Sequence, residues 1–469
     1  FLLAGPAAAQ SLPAGPWTPA YLVFQESEEA EMVWVPAMVV DSGGSVHLFW
    51  SFKTADSPHR GGNLIGYARF DGQQWSAPNL VLASPNGEST NSPRVALDPT
   101  RGEIHVVWLG ITTGYRTFIY HSYAHASAAW SARSWSPPSS MPTEGDTRST
   151  PALWIDDSGI LHLALETTQG AFYVRSTDRG ENWSEPVQIV NLAGDEALAV
   201  HDLMMDTRGR LHVVWAQYDT TDEMWRRIYY SRSTDGGNHW SAPADLSGRG
   251  YINEASLARL GADEIHVVWN GSSSDSWRFH RYSTDGGLTW SEVVPFLRVG
   301  GWAGRPALAV DGSGVLHLVT AGNGYGLGGA VVHTYWDGST WAEPELLPLG
   351  FYAEHAALVC RGGNLLVAAG DGSTPGGEGF DKVWASIRPL DAQTVPFRPV
   401  PTAQPAPTPV PTPAPTTALP TPTAAPRPTP GSAQIGGPAD SSPALLLGVL
   451  LPAGLLLLVV LAVRLRRRS

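Results

Sequence analysis

The chain has 469 residues and a formal net charge of −13 at pH 7. This acidic balance argues against nucleic acid as a partner, because phosphate binding needs a basic surface. The single cysteine excludes a disulfide framework and a cysteine-rich zinc module. A hydrophobic content of 43% is enough for a large core and excludes a wholly disordered chain.

The first ten residues are typical of a secretion signal. Phe1 to Ala9 (FLLAGPAAA) has the pattern of the end of an apolar signal-peptide region, followed by small residues at a cleavage site. We therefore expect residues 1–10 to be the remnant of a signal peptide.

Residues 11–391 contain an internal repeat. A short apolar phrase with histidine as its second residue recurs six times, at spacings of 50 to 58 residues. These histidines are His47, His105, His162, His212, His266 and His317. A degenerate seventh copy, which lacks the histidine, begins at Asn364. Each unit contains four short strand patterns, which is typical of a β-propeller blade. The sequence therefore predicts an all-β, seven-bladed β-propeller.

The seventh unit stops before its fourth strand, and the missing part occurs at the other end of the repeat. A tryptophan opens the fourth strand of the other units, and Trp17 precedes a comparable apolar run at residues 20–23. We expect this N-terminal strand to complete the last blade, so that the ring has no exposed sheet edge.

Three units carry the motif Ser-Thr-Asp-x-Gly-x-x-Trp between their third and fourth strands, at Asp178, Asp235 and Asp285. In such a hairpin turn the aspartate accepts backbone N–H groups, the glycine adopts a positive φ and the tryptophan packs on the sheet. We assign a structural role to all three aspartates.

This motif is the Asp box, and residues 11–391 resemble the Asp-box (BNR-repeat) propellers, a sialidase-like superfamily. In a sialidase of this type, arginines bind a carboxylate, a glutamate activates a tyrosine nucleophile, and an aspartate is the acid/base. By order along the chain, the resemblance implies Asp56 as the acid/base, Glu254 as the activating glutamate and Tyr352 as the nucleophile. Trp34 stands where the first arginine is expected, and seven blades exceed the six that are typical of sialidases.

The resemblance places ligands on the upper face, which is the face formed by the loops between strands two and three and between successive blades. Arginines there can pair with carboxylates, and aromatic rings can stack on sugars. The candidate ligand-binding residues are Trp34, Arg94, Arg148, Arg278, Trp302 and Arg305. Three functions stay open: glycan recognition, an active exo-α-sialidase that is a retaining glycoside hydrolase, and a non-catalytic protein-interaction propeller.

The six repeat histidines are related by the blade rotation, so they cannot converge on one metal ion. We expect no metal and no other cofactor, with calcium left open. The expected partner is an extracellular glycan or glycoconjugate, bound by a monomeric propeller.

The composition changes twice after the repeat. Residues 392–443 hold 16 of the 39 prolines and favour an extended polyproline II stalk. Residues 444–463 form an apolar run of 20 residues, the length of a transmembrane helix, and residues 464–469 contain four arginines. We expect a single-pass protein of the cell membrane, with the propeller outside and the basic tail in the cytoplasm.

Overall fold

The structure is a computed structural model that describes residues 15–402 with short gaps. The residues that it does not describe are 1–14, 26–29, 55–56, 58–61, 142–146, 148, 195, 220–225, 249, 251, 272–276, 300–303, 323–329, 350–352, 373–380 and 403–469. Among the described residues, no helix is long and apolar enough to cross a membrane. The predicted signal remnant and the predicted membrane span at 444–463 both lie outside the described residues.

The described chain forms seven four-stranded antiparallel sheets, which are the blades of a propeller. The first strand, β1 (Tyr21–Gln25), belongs to blade 7. Blades 1 to 6 each use four consecutive strands, in order from the innermost outwards. Blade 1 contains β2 (Ala30–Val40), β3 (Val46–Thr54), β4 (Leu64–Phe70) and β5 (Asn79–Ala83); blade 2 contains β6 (Asn91–Asp98), β7 (Glu103–Ile111), β8 (Thr117–His125) and β9 (Ser139–Ser140); blade 3 contains β10 (Ala152–Ile155), β11 (Leu161–Thr167), β12 (Gly170–Ser176) and β13 (Val187–Asn191).

The next three blades follow the same order. Blade 4 contains β14 (Glu196–Met205), β15 (Leu211–Asp219), β16 (Arg226–Ser233) and β17 (Ala244–Asp245); blade 5 contains β18 (Ile252–Leu260), β19 (Glu264–Gly271), β20 (Trp277–Ser283) and β21 (Val294–Arg298); blade 6 contains β22 (Ala307–Val310), β23 (Leu316–Gly322), β24 (Ala330–Trp336) and β25 (Glu345–Leu347). Three 3₁₀ turns complete the assigned elements: Pro85–Gly87, Ala126–Ala128 and Ala132–Ser134.

Blade 7 joins the two ends of the repeat. Its inner strands are β26 (Ala356–Arg361), β27 (Leu365–Gly372) and β28 (Lys382–Pro389), and β1 is its outermost strand. Strand β1 pairs antiparallel with β28, with Tyr21 opposite Ala385. The predicted seven-bladed fold and its closure by an N-terminal strand are confirmed.

The second strand of each blade is buried between neighbouring blades. Because both of its faces are covered, its sequence is a nearly continuous apolar run and does not alternate between apolar and polar residues. In four blades the phrase ends in a tryptophan that is 0–1% exposed: Trp50, Trp108, Trp215 and Trp269. These large side chains fill the space between adjacent sheets.

The repeat histidines have partners within their own blades. His212 is fully buried, and its Nε2 donates to the Asp206 carboxylate at 3.1 Å. Its Nδ1 accepts a hydrogen bond from the Tyr230 hydroxyl at 2.7 Å. Blades 1, 3 and 6 have the same aspartate contact, at 3.1–3.4 Å. In blade 4, the two bonds of His212 together join the end of the innermost strand to the next two strands.

The three Asp boxes lie in the hairpins after the third strands of blades 3, 4 and 5. In each box the aspartate Oδ1 accepts a serine hydroxyl at 2.8 Å. Asp235 also accepts the backbone N–H of His239 at 2.9 Å. This bond, with the His239 side chain and the Ser233 hydroxyl, lowers the pKa of Asp235 to about 2. The carboxylates of Asp178 and Asp285 hold their turns in the same way.

The chain leaves blade 7 across the face that carries the Asp boxes, which we call the lower face. The Val395 N–H donates to Gly362 O at 2.8 Å, and the Arg398 N–H donates to Ser42 O at 2.7 Å. Further on, His125 Nε2 donates to the Pro401 carbonyl at 2.6 Å. Residues 392–402 were predicted to begin the stalk, but these contacts place them against blades 7, 1 and 2.

We expect Asp235→Ala to lower the melting temperature and to leave ligand affinity unchanged. The substitution removes the acceptor that closes the hairpin, on the face opposite the predicted ligand. The matched control is Asp157→Ala, because Asp157 is exposed and forms no hydrogen bond through its side chain among the described residues. An unchanged melting temperature together with lost binding would contradict the structural role.

We also expect the free energy of unfolding to fall between pH 7.5 and pH 5.0. Burial lowers the pKa of His121 to about 4 and that of His280 to about 3, whereas an unfolded histidine titrates near 6.5. Below pH 6.5 the unfolded state therefore binds protons that the folded state excludes. Each such group lowers stability by about 1.4 kcal/mol per pH unit until its folded pKa is reached.

Urea titrations at the two pH values measure this effect. The control is Arg133→Ala, which removes an exposed side chain that stays charged throughout this pH range and should leave the pH dependence as it is. Equal urea midpoints at pH 7.5 and 5.0 would show that the buried histidines take up protons in the folded state.

Candidate ligand site at the mouth of the channel

The innermost strands of all seven blades surround a cavity of about 590 Å³. This volume lies within the range of small-molecule sites in proteins. Much of the wall is aliphatic, with side chains such as Val39, Val95 and Leu308. Polar groups gather at the upper face, where the innermost strands begin. Six of them form what we call the mouth cluster: Arg94, His201, Asp202, Glu254, Arg305 and His355.

Arg305 and Asp202 form an ion pair within the cluster, and both partners line the cavity. The Arg305 Nη1 lies 3.0 Å from Asp202 Oδ1 and donates to the His201 carbonyl at 2.9 Å. Asp202 Oδ2 accepts the Leu257 N–H at 2.9 Å. This pair therefore fixes the start of blade 6 against blades 4 and 5.

Arg94 lines the cavity from blade 2, and Glu254 of blade 5 lies close enough to interact with it electrostatically. Burial lowers the pKa of Arg94 to about 10, and the charge of Arg305 acts in the same direction. The Arg94 Nε is buried and has no hydrogen-bond partner among the described residues. Burial alone would raise the pKa of Glu254, but His201, Arg94 and Arg305 outweigh it and the pKa is lowered. Glu254 is therefore ionised at neutral pH.

The two histidines of the cluster differ in charge. His201 Nδ1 accepts the Ala255 N–H at 3.1 Å, and burial lowers its pKa to about 4. His355 Nδ1 instead lies 2.7 Å from the Asp371 carboxylate. Burial alone would lower the pKa of His355, but Asp371, Glu354 and Glu254 outweigh it and the pKa is raised. His201 is therefore neutral, whereas His355 readily carries a proton.

Backbone irregularities lie beside the cluster. The pairing of β6 with β7 shifts between Asn91 and Arg94, and Ser92 has φ of 49° just before Pro93. Blade 1 repeats this arrangement, with Val35 at φ of 53° before Pro36. A positive φ is uncommon for any residue with a side chain and unfavourable for a β-branched one. Such bulges and strained residues redirect side chains and cluster at functional sites.

The structure brings together three of the predicted site residues, Arg94, Glu254 and Arg305. Arg278 lies elsewhere and is fully buried between blades 5 and 6. Its Nε donates to Thr320 Oγ1 and its Nη2 to the Ala321 carbonyl, both at 3.0 Å. Thr320 stands where four other blades have a tryptophan. Arg278 is thus enclosed between blades, away from the ligand-accessible surface that the sequence predicted for it.

The other predicted residues are not part of the described cluster. Trp34 is half-buried opposite Ser51, next to the bulge of β2, and it does not line the cavity. The remaining candidates lie outside the described residues: Asp56, Arg148, Trp302 and Tyr352.

Sequence reasoning missed His201, Asp202, His355 and Asp371. The repeat contained a signal for His355, because His355 and Arg305 occupy equivalent positions in blades 7 and 6. His355 lies six residues before Arg361, where its innermost strand ends, and Arg305 lies six residues before Asp311, which directly follows the innermost strand of blade 6. Aligning the worn seventh repeat with the sixth would have placed His355 beside Arg305.

One group on the lower face has metal-ligating atoms close together. Single side-chain atoms of Asp98, Glu103 and His105 lie within 4.8 Å of one another. Arg101 already pairs with Asp98 at 2.7 Å and Arg179 with Glu103 at 3.2 Å. Two guanidinium groups therefore balance the two carboxylates, and the group does not require a cation.

Comparison with known proteins supports the fold and leaves the activity open. No protein-family model matches the chain, and no curated protein matches it. A solved structure of a protein of unknown function from Dyadobacter fermentans aligns over 80% of this chain and 99% of its own, with 14% identity and a TM-score of 0.50.

Two further solved structures belong to carbohydrate-active proteins. A polysaccharide lyase, an ulvan lyase bound to -[GlcA(1-4)Rha3S]-, aligns over 79% of this chain and 95% of its own, with 12% identity and a TM-score of 0.54. The NanB sialidase from Streptococcus pneumoniae aligns over 80% and 70% of the two chains, with 14% identity and a TM-score of 0.44. At these identities a likeness shows the fold alone. The alignments with TM-scores of 0.50 and 0.54 support the predicted fold.

Proposed function

We propose that this protein is a surface-anchored propeller that recognises an extracellular glycan in the upper mouth of its channel. The observation that supports the proposal is that Arg94 and Arg305 line one cavity from two blades, with the Glu254 carboxylate of a third blade close enough to act electrostatically on both. The acceptors and donors of a sugar need such a set of mixed polar groups above a shaped apolar wall.

The charges of the mouth favour a glycan with an acidic group. Arginine pairs with carboxylates and sulfates through parallel N–H donors, and these bonds strengthen where bulk water has little access. The buried Nε of Arg94, which has no hydrogen-bond partner in the described part of the chain, is a donor suited to such a group. Asp202 and Glu254 can accept hydrogen bonds from sugar hydroxyls.

The fold relatives are compatible with this proposal and do not establish it. The ulvan lyase structure holds an oligosaccharide that contains glucuronic acid and a sulfated rhamnose. Propellers support many unrelated functions, so the proposal depends on the chemistry of the mouth cluster.

Anchoring at the cell surface is proposed from the sequence alone. The signal remnant, the stalk and the apolar run at 444–463 together indicate a single-pass protein with its propeller outside. The last described residue, Thr402, follows the contact of Pro401 with the lower face. The mouth cluster is at the opposite end of the ring.

We expect Arg94→Ala and Arg305→Ala each to weaken binding of acidic glycans at least tenfold, because each removes a charge-assisted hydrogen-bond donor. A glycan array probed with the purified chain identifies the ligand, and calorimetric titration gives the affinities. The matched control is Arg133→Ala, because Arg133 is exposed and lies outside the mouth cluster. Equal losses in all three variants would contradict the site.

Exo-α-sialidase activity is the second candidate, and the position of Glu254 beside Arg94 and Arg305 favours it. The test is turnover of a fluorogenic sialoside by the same protein. Turnover that disappears in Asp56→Ala and Tyr352→Phe supports the enzyme. Binding on the array without turnover supports a glycan-binding module. If neither binding nor turnover is observed, a protein-interaction propeller is favoured.

A further inference from the structure

His355 and Asp371 form a pair at the edge of the mouth. Asp371 is 1% exposed, and its Oδ1 accepts the backbone N–H groups of Glu354 at 2.9 Å and of His355 at 2.8 Å. Its Oδ2 lies 2.7 Å from His355 Nδ1. An ionised carboxylate only accepts hydrogen bonds, so Nδ1 carries the proton. The ring is thereby held in one orientation, with Nε2 as its remaining polar atom.

A glycine on the neighbouring blade leaves room for the imidazole. The Gly304 N–H donates to the Glu354 carbonyl at 2.6 Å. A Cβ atom at position 304 would lie 2.4 Å from Cδ2 of His355, so that a larger residue would displace the ring. Gly304 directly precedes Arg305. One short segment therefore places the imidazole and the guanidinium side by side.

The remaining environment of His355 is open to the channel. Its side chain lines the cavity and is 27% exposed, whereas Asp371 behind it is enclosed. The carboxylates that act on the imidazole are Asp371 on β27, Glu354 on its own loop and Glu254 on β18. Across the mouth, Glu254 is shared with the cations Arg94 and Arg305 and with the neutral His201.

We propose that His355 is a ligand-binding residue whose Nε2 donates a hydrogen bond to the acidic group of the bound saccharide. This inference rests on the proposed function and extends it, because it assigns the ligand a carboxylate or a sulfate next to blade 7. Asp371 is a positioning residue that acts through His355. The arrangement resembles the oriented histidines of many sites, in which a buried carboxylate fixes the tautomer and the ring direction.

A pH dependence follows from this role. The pKa of His355 is raised, so the imidazole is protonated in mildly acidic solution and loses its charge as the pH rises through that pKa. Affinity for an acidic saccharide should therefore decrease with rising pH. Affinity for the corresponding neutral saccharide should not, because a neutral ligand gains little from the charge.

The experiment compares three saccharides that share lactose: 3′-sialyllactose with a carboxylate, 3′-sulfolactose with a sulfate, and lactose itself. Each is titrated into the purified chain between pH 5 and pH 8. We expect one or both acidic saccharides to bind about tenfold more tightly at pH 5.5 than at pH 8, and the preferred one identifies the acidic group.

Variants separate charge from shape. His355→Gln should abolish the pH dependence and weaken acidic binding about tenfold at pH 5.5, whereas His355→Arg should keep the affinity and lose the pH dependence. The matched control, His239→Gln, removes an exposed imidazole on the lower face and should behave as the parent protein. Binding of an acidic saccharide with an unchanged pH profile in His355→Gln would overturn the inference while leaving the proposed function intact.

A measurement on the unmodified protein tests the contact without depending on whether the variants fold. Diethylpyrocarbonate acylates accessible imidazoles, and peptide mass spectrometry reports the extent at each histidine. The acidic saccharide that binds should slow acylation of His355 and not that of His239. Undiminished acylation of His355 in its presence would overturn the contact. No binding of any saccharide, in the titrations or on the array, would instead contradict the proposed function.

Discussion

The hydrogen bonds between β1 and β28 are the constraint on which the rest of the structure depends. They join residues near the start of the repeat to its last strand, for example Tyr21 to Ala385, and so close the ring. Once it is closed, all innermost strands begin at one face. Arg94 and His355 are remote in sequence, yet both line the same cavity. The channel and its mouth exist only because the two ends of the repeat share a blade.

Closure is reinforced within four of the blades by buried aspartate–histidine bonds, and the single cysteine forms no disulfide. His212 links Asp206 at the end of one strand to Tyr230 two strands away, blades 1 and 3 repeat this link, and blade 6 repeats the aspartate contact. Blade 2 departs from it because its first turn is one residue longer. There Asp98 bonds to Thr100 and Arg101 of the turn, and the buried Nε2 of His105 has no partner among the described residues. A one-residue change in a turn thus redirects a carboxylate.

The repeat made the fold predictable, because its period, its Asp boxes and the displaced fourth strand at Trp17 are local patterns. The site was only partly predictable. Arg94 and Arg305 stand near the starts of innermost strands, whose direction the repeat defines. His355 was missed because it precedes the first strand of the degenerate seventh repeat; its partner Asp371 lies across the β26–β27 pair of the same blade, and Gly304 approaches it from blade 6. Arg278 was misplaced because it belongs to a third strand, β20, whose side chains point alternately at the two neighbouring blades.

The division of chemistry between the two faces follows from strand direction. At the lower face the innermost strands end in turns such as that of Asp206, whose carboxylate is consumed by His212 and Arg210. Residues 392–402 cover part of this face and bond to its backbone groups. At the upper face the strands begin, and bulges such as that at Ser92 turn polar side chains towards the axis. Asp206 at the lower face is thus committed to holding the fold. At the mouth, Asp202, the guanidinium of Arg94 and the imidazole of His355 all line the cavity, where the proposed ligand would meet them.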